Sequence, residues 1–472
     1  MKACIPGFFL LVCLCLSVKA QQLSPVEGSW VGTLAVSGIK LRLITHIHTE
    51  ANGYKATLDS PDQGAKDIPI DIVTFQNDSL TLIMNRLGAV YKGLYRKDSV
   101  LIQGLFTQNG HSFPLVMQKS EKGITVNRPQ LPLRPFPYKE EDVIYENPST
   151  HTKLAGTLTL PQTGTAFPVV ILISGSGPQD RDETLFAHKP FLVLSDYLTK
   201  QGFAVLRVDD RGVGKSTGSF STATSADFAE DVKAGIDYLK TRKEINPWKI
   251  GLIGHSEGGM IAPIVASKSP DVAFIVLMAG PGITGEQILR TQAITFYKKM
   301  GASDSEIKTI LELSDAVDKL AENNNTDKQK RKEGIAKLIK DKAAGISDTR
   351  KKQLEITEDA FLQSVELAQS PWMKYFIHFD PIPVLKQVRI PVLAINGSKD
   401  VQVLADNNLK GIETALKQGG NKKYQVQKLE GLNHLFQKAD SGFPDEYGTI
   451  EQTIDPTALT AIGDWLKKVA GK

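Results

Sequence analysis

Trp248-Lys-Ile-Gly-Leu-Ile-Gly-His-Ser-Glu-Gly-Gly-Met-Ile-Ala-Pro-Ile-Val-Ala266 is the stretch on which the reading of the fold turns. Its first seven residues form a short apolar run of strand length, and residues 260–266 form a second apolar run that reads as a helix. Between them lies Gly254-His255-Ser256-Glu257-Gly258-Gly259. A serine spaced between glycines in this way sits on a strand-to-helix turn so tight that side chains at the flanking positions would collide. Such a turn pushes the Ser256 hydroxyl into the open and aims the first N–H groups of the helix toward it.

A serine hydroxyl is a poor nucleophile until a neighbouring base takes its proton, so a histidine has to come within reach. The chain has eight, at positions 46, 48, 111, 151, 188, 255, 378 and 434. After a nucleophile on this kind of turn the acid and then the histidine follow in chain order. His378 and His434 are the histidines downstream of Ser256. His378 precedes an Asp380-Pro381 turn, whereas His434 follows the last long strand in Glu430-Gly-Leu-Asn-His434, which makes His434 the better base. The acid belongs on the loop leaving the strand between them. Residues 391–396 read as that strand, and Gly397-Ser-Lys-Asp400 leaves it. The alternative place, residues 279–285, holds no carboxylate, so Asp400 is selected by elimination. An oxyanion needs donors: the backbone N–H of Glu257, and one from the loop Ser174-Gly-Ser-Gly-Pro178, where Ser176 is favoured over Gly177.

Outward from this centre the chain changes character twice. Residues 139–283 and 379–472 alternate continuous apolar runs, such as 169–173, 204–208, 250–253, 273–278, 392–395 and 424–429, with amphipathic segments such as 227–239. Strands buried on both faces lose their alternation, so the predicted class is α/β with a mostly parallel sheet flanked by helices. Residues 284–378 interrupt it with no strand signal and 31 of 95 residues charged, and read as a helical insertion. Its Lys328-Gln-Lys-Arg-Lys332 run reads as a solvated helix face. Upstream, residues 21–126 alternate at period two in short runs (30–36, 40–47, 79–84, 90–95, 99–106 and 113–117), which predicts a small antiparallel all-β barrel or sandwich. The proline-rich residues 127–138 read as a stiff linker.

Composition bounds the function. Fifty-six basic against 52 acidic residues, with 41% hydrophobic, describe a globular chain with no excess charge for a nucleic acid. Cys4, Cys13 and Cys15 are the cysteines, and all lie in a predicted signal peptide, residues 1–20. There Lys2 precedes the nine-residue apolar run 8–16, too short to span a bilayer, and Val18-Lys-Ala20 offers a cleavage site. The mature chain is therefore expected to be secreted or periplasmic, with no thiol chemistry and no transmembrane segment.

The segments Ser174-Gly-Ser-Gly-Pro-Gln-Asp-Arg-Asp182, Asp209-Asp-Arg-Gly-Val-Gly-Lys-Ser216, Gly254-His-Ser-Glu-Gly-Gly259 and Asn396-Gly-Ser-Lys-Asp400 together resemble the α/β-hydrolase superfamily, in particular a group of bacterial serine carboxylesterases. These are distantly similar to dienelactone hydrolases and prolyl-oligopeptidase-type enzymes. The resemblance covers residues from about 140 to 470. It implies cleavage of short-to-medium acyl esters, a triad of Ser256, Asp400 and His434, and a cap where the helical insertion falls. The histidine common before the oxyanion-loop glycine is Ser174 here.

Several other readings compete. Gly212-Val-Gly-Lys-Ser216 suggests a phosphate loop, but its first glycine would be Asp209, whose carboxylate repels phosphate. The segment is expected to be a structural turn, with Arg211 held by carboxylates such as Asp180 or Asp182. His46 and His48 share a strand face without an evident third ligand, so neither metal nor cofactor is expected. An exopeptidase or acyl-transferring relative using the same triad is the rival activity. A propeller of four ~40-residue blades, the usual companion of such peptidases, would not fit in the ~100 residues before the linker. The β-domain is either a binding module or a structural lid. The expected partner is an acyl ester, free or borne on a polymer, and the oligomeric state stays open.

Overall fold

The computed structural model describes residues 24–36, 39–50, 52–63, 65–108, 110–120, 127–323 and 328–470. The predicted signal peptide and its three cysteines lie outside the described residues. The chain divides into two compact units near residue 125.

The first unit is a nine-stranded antiparallel sheet: β1(Gly28–Val36), β2(Ile39–Glu50), β3(Gly53–Ser60), β4(Ala65–Ile70), β5(Ile72–Gln76), β6(Ser79–Met84), β7(Ala89–Arg96), β8(Leu101–Gln108) and β9(His111–Lys119). Strands consecutive in sequence pair with one another, except that β4 and β5 do not and β1 pairs instead with β9, giving the order β4-β3-β2-β1-β9-β8-β7-β6-β5. Period-two patterning fills one face: Leu80, Leu82 and Met84 of β6 are buried around the fully buried Trp30. The Trp30 indole N–H donates to the Val26 carbonyl at 2.7 Å, so the ring is buried without an orphaned donor.

The second unit is a three-layer α/β/α domain. Its strands are β10(Tyr138–Asn147), β11(Thr152–Pro161), β12(Phe167–Ile173), β13(Ala204–Val208), β14(Ile245–His255), β15(Phe274–Met278), β16(Val392–Gly397) and β17(Tyr424–Leu429). They lie in the order β10-β11-β13-β12-β14-β15-β16-β17, parallel throughout except that β11 runs against both its neighbours. The helices in chain order begin with α1(Pro190–Lys200), α2(Ser225–Lys240) and α3(Gly258–Ala266). A run of helices follows β15: α4(Gly285–Lys299), α5(Asp304–Asn323), α6(Lys328–Lys342), α7(Asp348–Gln353), α8(Glu358–Ala368) and α9(Pro371–His378). The chain closes with α10(Pro381–Leu385), α11(Ala405–Gln418) and α12(Pro456–Ala470). One face of the sheet packs on α2, α3 and α11, with Ile236, Ile264 and Ile412 in that core. The other packs on α1 and α12 through Leu194, Leu198, Ile462 and Leu466. The helices between β15 and α10 have a core of their own around Leu313, Ile335, Leu354 and Val365, which makes them a cap added to the three layers.

Residues 127–138, expected as a stiff linker, are fastened along this second unit. The Arg128 guanidinium donates to the carbonyls of Phe186, Gly448 and Ile450 at 2.7, 2.9 and 3.1 Å. The Gln130 side chain accepts from the amides of Thr453 and Ile454 at 2.6 and 2.9 Å. Among the described residues no helix is long and apolar enough to cross a membrane.

Candidate active site

The strand β14 stops at His255 because the next residue turns the chain back on itself. Ser256 has φ of 52°, in the left-handed region that a non-glycine residue enters only under constraint. Its amide N–H continues the sheet by donating to the Met278 carbonyl at 2.8 Å, so the turn is pinned to β15. A Cβ at Gly254 would sit 2.0 Å from the Gly258 carbonyl oxygen, and one at Gly258 would sit 2.1 Å from the Ile173 carbonyl oxygen. The two glycines therefore let β14, α3 and β12 meet at one point. Residues 251–255 and 257–265 are buried while Ser256 alone among them is partly exposed, which puts its hydroxyl at the cavity floor.

That cavity, about 320 Å³, is lined by Ser256, Glu257, Ser176, His255 and His434 together with Trp372, Met373 and Phe376 of the cap. The loop after β17 delivers His434, and the loop after β16 delivers Asp400. His434 Nδ1 lies 2.7 Å from Asp400 Oδ2, and both side chains are buried. A carboxylate only accepts, so Nδ1 carries the proton and Nε2 of the neutral ring is left as the basic nitrogen. The other oxygen of Asp400 accepts from the amides of Gln402 and Val403 at 2.8 and 2.9 Å, which fixes the carboxylate plane. Asn433 holds the loop on the other side, its Oδ1 accepting from the Leu435 and Gln437 amides. His378, the other downstream histidine, is exposed at the end of α9.

The loop after β12 is clamped by two carboxylates that sequence reading did not single out. Asp210 accepts from Ser174 Oγ at 2.8 Å and from the Gln179 amide at 3.0 Å. Burial pushes the Asp210 carboxyl up to about 7, against those two hydrogen bonds, which pull it down. Glu183 accepts from the Gly175 amide at 2.7 Å, and the same oxygen lies 2.9 Å from His255 Nδ1. His255 Nε2 in turn lies 3.0 Å from the backbone carbonyl of His434. Both ring nitrogens face acceptor oxygens, an arrangement that favours the doubly protonated ring. Burial opposes that charge, but the Glu183 carboxylate, through Coulomb attraction and the hydrogen bond, and the His434 carbonyl outweigh it and raise the His255 pKa. One ion pair thus ties the loop after β12 to the loop that presents His434.

Glu257 contributes its amide at the start of α3 and its side chain to the wall. The carboxylate accepts from Ser225 Oγ at 2.6 Å and from the Trp372 indole N–H at 2.8 Å, with the Ser176 hydroxyl also donating to it. Burial raises its pKa in spite of these donors. Trp372 belongs to the cap, so this bond latches α9 to the residue after Ser256.

The segment 209–216 is a turn folded around Asp209. Arg181 binds that carboxylate through its Nε, Nη2 and backbone amide, and a Cβ at Gly214 would sit 2.4 Å from Asp209 Oδ2. Arg211 does not pair with Asp180 or Asp182 as expected. It makes two bonds, 2.7 and 2.8 Å, to Asp231 of α2, which crosses above the turn, while Asp182 is taken by Arg207 and Lys189. In the first unit, His46 bonds to Ser29 Oγ and Asp59, and among the described residues no group of three or more candidate ligands could hold a metal ion.

An eight-stranded sheet in this order, with a serine on the turn between its fifth strand and the following helix and a helical cap after the sixth, defines an α/β hydrolase. The family pattern of the X-Pro dipeptidyl-peptidases (S15 family) matches residues 150–427, and the chain belongs to this family. It is also 26% identical over 336 residues to Esterase EstD of Thermotoga maritima, covering 70% of this chain and 69% of that protein. It is 30% identical over 125 residues to YfhR of Escherichia coli, spanning 26% of this chain and 41% of the relative. The solved esterase Pf2001 of Pyrococcus furiosus superposes with a TM-score of 0.43 at 17% identity, covering 74% of this chain and 99% of that one.

Proposed function

We propose that the protein is an exported serine esterase that cleaves short-to-medium acyl carboxylic esters through an acyl-enzyme. The observation that carries this reading is the 2.7 Å bond between His434 and Asp400 in a cavity whose floor is Ser256. Ser256 Oγ attacks the ester carbonyl carbon as His434 Nε2 takes the hydroxyl proton. The resulting oxyanion accepts from the backbone N–H groups of Glu257 and Ser176. Collapse breaks the bond to the alkoxy oxygen, which leaves with the proton from His434. Water then attacks the acyl carbon, giving its proton to His434, and the acid departs as Ser256 regains that proton. Asp400 holds the ring in the tautomer that leaves Nε2 free and stabilises the imidazolium. Kinship to EstD supports an ester as the substrate.

The family's description favours a second reading, cleavage of X-Pro amides by the same residues. Against it, Glu183 and Glu257, the acidic side chains on the cavity wall among the described residues, are already engaged by Gly175, His255, Ser225 and Trp372 rather than presented to a peptide amine. Comparing p-nitrophenyl butyrate with aminoacyl-prolyl p-nitroanilides separates the two. Ester kcat/KM at least 100-fold above amide supports the esterase, and the reverse ratio overturns it. Export is tested by sequencing the N-terminus of protein from the extracytoplasmic fraction, where Gln21 is expected first. Retention of Met1 in the cytoplasm would contradict it.

A further inference from the structure

The cap holds a second cavity of about 370 Å³ between α4, α5, α8 and α9. Leu289 of α4 and Met373 of α9 line both this cavity and the one at Ser256, so two apolar side chains are what stands between them. The second cavity shares Tyr297, Phe361, Ser364 and Leu367 with a third, about 260 Å³, and Leu367 is exposed at 56%. The middle volume thus shares walls with each of the other two.

The chemistry of the middle cavity is uneven. Leu289, Ala293, Ile310, Phe361, Met373 and Ile377 make an apolar wall, and the charged lining residues Glu286, Arg290, Asp315 and Asp318 belong to α4 and α5, where Arg290 pairs with Asp315 at 3.1 Å. An apolar wall that begins at Leu289 and Met373, the two residues shared with the Ser256 cavity, suits a flexible alkyl chain. Methionine and leucine have adaptable rotamers, so they can part for a chain without moving the helices.

On the esterase reading given above, we infer that the cap cavity is a binding site for an unbranched aliphatic chain of the ester substrate. The chain threads between Leu289 and Met373, and the cavity sets a preference for medium over short esters. Each methylene drawn from water into such a site raises kcat/KM roughly fourfold.

The test uses the full chain and two ester series, p-nitrophenyl alkanoates from acetate to decanoate for the acyl side and n-alkyl acetates from methyl to decyl for the alcohol side. Ala293→Trp and Leu311→Trp each fill the cap cavity, with melting temperature as a check on folding. The expected result is that the long-to-short ratio of kcat/KM falls at least tenfold in one series, which also identifies the side that carries the chain. A measurement without variants accompanies it: decanoate should inhibit acetate-ester cleavage at least tenfold more tightly than butyrate. Folded variants with ratios within twofold of wild type in both series, or equal inhibition by the two acids, would overturn the inference. Failure of the esterase reading looks different: wild type would cleave no member of either series, or Ser256→Ala would cleave them all.

Discussion

At the residue scale the unexpected finding is a buried histidine, next to the catalytic candidate, whose pKa is raised by the Glu183 carboxylate against the cost of burial. The two ring nitrogens of His255 lie against Glu183 and the His434 carbonyl, and so link His434 to the loop of Gly175 and Ser176. Its folded pKa is raised above the ordinary 6.5, so the stabilisation from its protonated form is complete below that value and is lost as pH rises through the raised one. Glu183→Gln removes the charge that keeps the ring protonated. The expected outcome is a kcat about 10- to 100-fold lower with KM little changed, and a basic limb of the kcat profile shifted to lower pH. Glu183→Asp should recover part of the rate. An unchanged pH profile in Glu183→Gln would show that the pair is only packing. None of this was readable beforehand. Ser256, Asp400 and His434 stand out in the sequence because each follows a strand in a fixed chain order, whereas Glu183 lies in an irregular loop with a left-handed backbone, φ 53°, and reaches His255 only through the fold.

At the scale of elements, the turn between β14 and α3 and the contact of α9 with Glu257 decide whether the site forms. Gly258→Ala puts a methyl against the Ile173 carbonyl and should cost about 1–3 kcal/mol of stability. Because that carbonyl ends β12, the same change should lower kcat more than the melting temperature alone accounts for. Trp372→Phe keeps the stack on Phe376, whose ring centre lies 5.5 Å away, but deletes the bond to Glu257. Loss of a buried hydrogen bond to a charged group, about 1.5–3 kcal/mol, should speed amide exchange in α9 by one to two orders of magnitude. Unaltered exchange would mean the indole does not latch the cap. The elements themselves were unevenly legible. Strand β6 alternates buried Leu80, Leu82 and Met84 with more exposed residues, and β15 is apolar throughout, so both announce themselves. In contrast β4 and β5, at the ends of the first sheet, bury little of either face and carry no clean pattern. Strand β10 was hidden by the prolines before it, and β17 reads as central although one side of the sheet ends there.

At the scale of the whole molecule the chain is two units with separate cores, one around Trp30 and Tyr91, the other on the two faces of the eight-stranded sheet. Calorimetry should therefore resolve two unfolding transitions, and a covalent inhibitor at Ser256 should raise only the one that belongs to the hydrolase unit. A single transition that moves as a whole would contradict independent cores. The division itself was legible from the change of hydrophobic period, from two to continuous runs, because antiparallel and parallel sheets expose different numbers of faces. The pocket was not, since it depends on how six cap helices with charged outer faces dock, and no local pattern encodes that. The proposed chemistry stands on Ser256 as the nucleophile, and a p-nitrophenyl alkylphosphonate tests that directly. Peptide mass mapping should find one phosphonyl group per chain, on Ser256, with ester hydrolysis lost in proportion, and Ser256→Ala should be unlabelled with kcat about 10⁴- to 10⁶-fold lower. Label on another residue, or wild-type turnover in Ser256→Ala, would rule out Ser256 as the nucleophile.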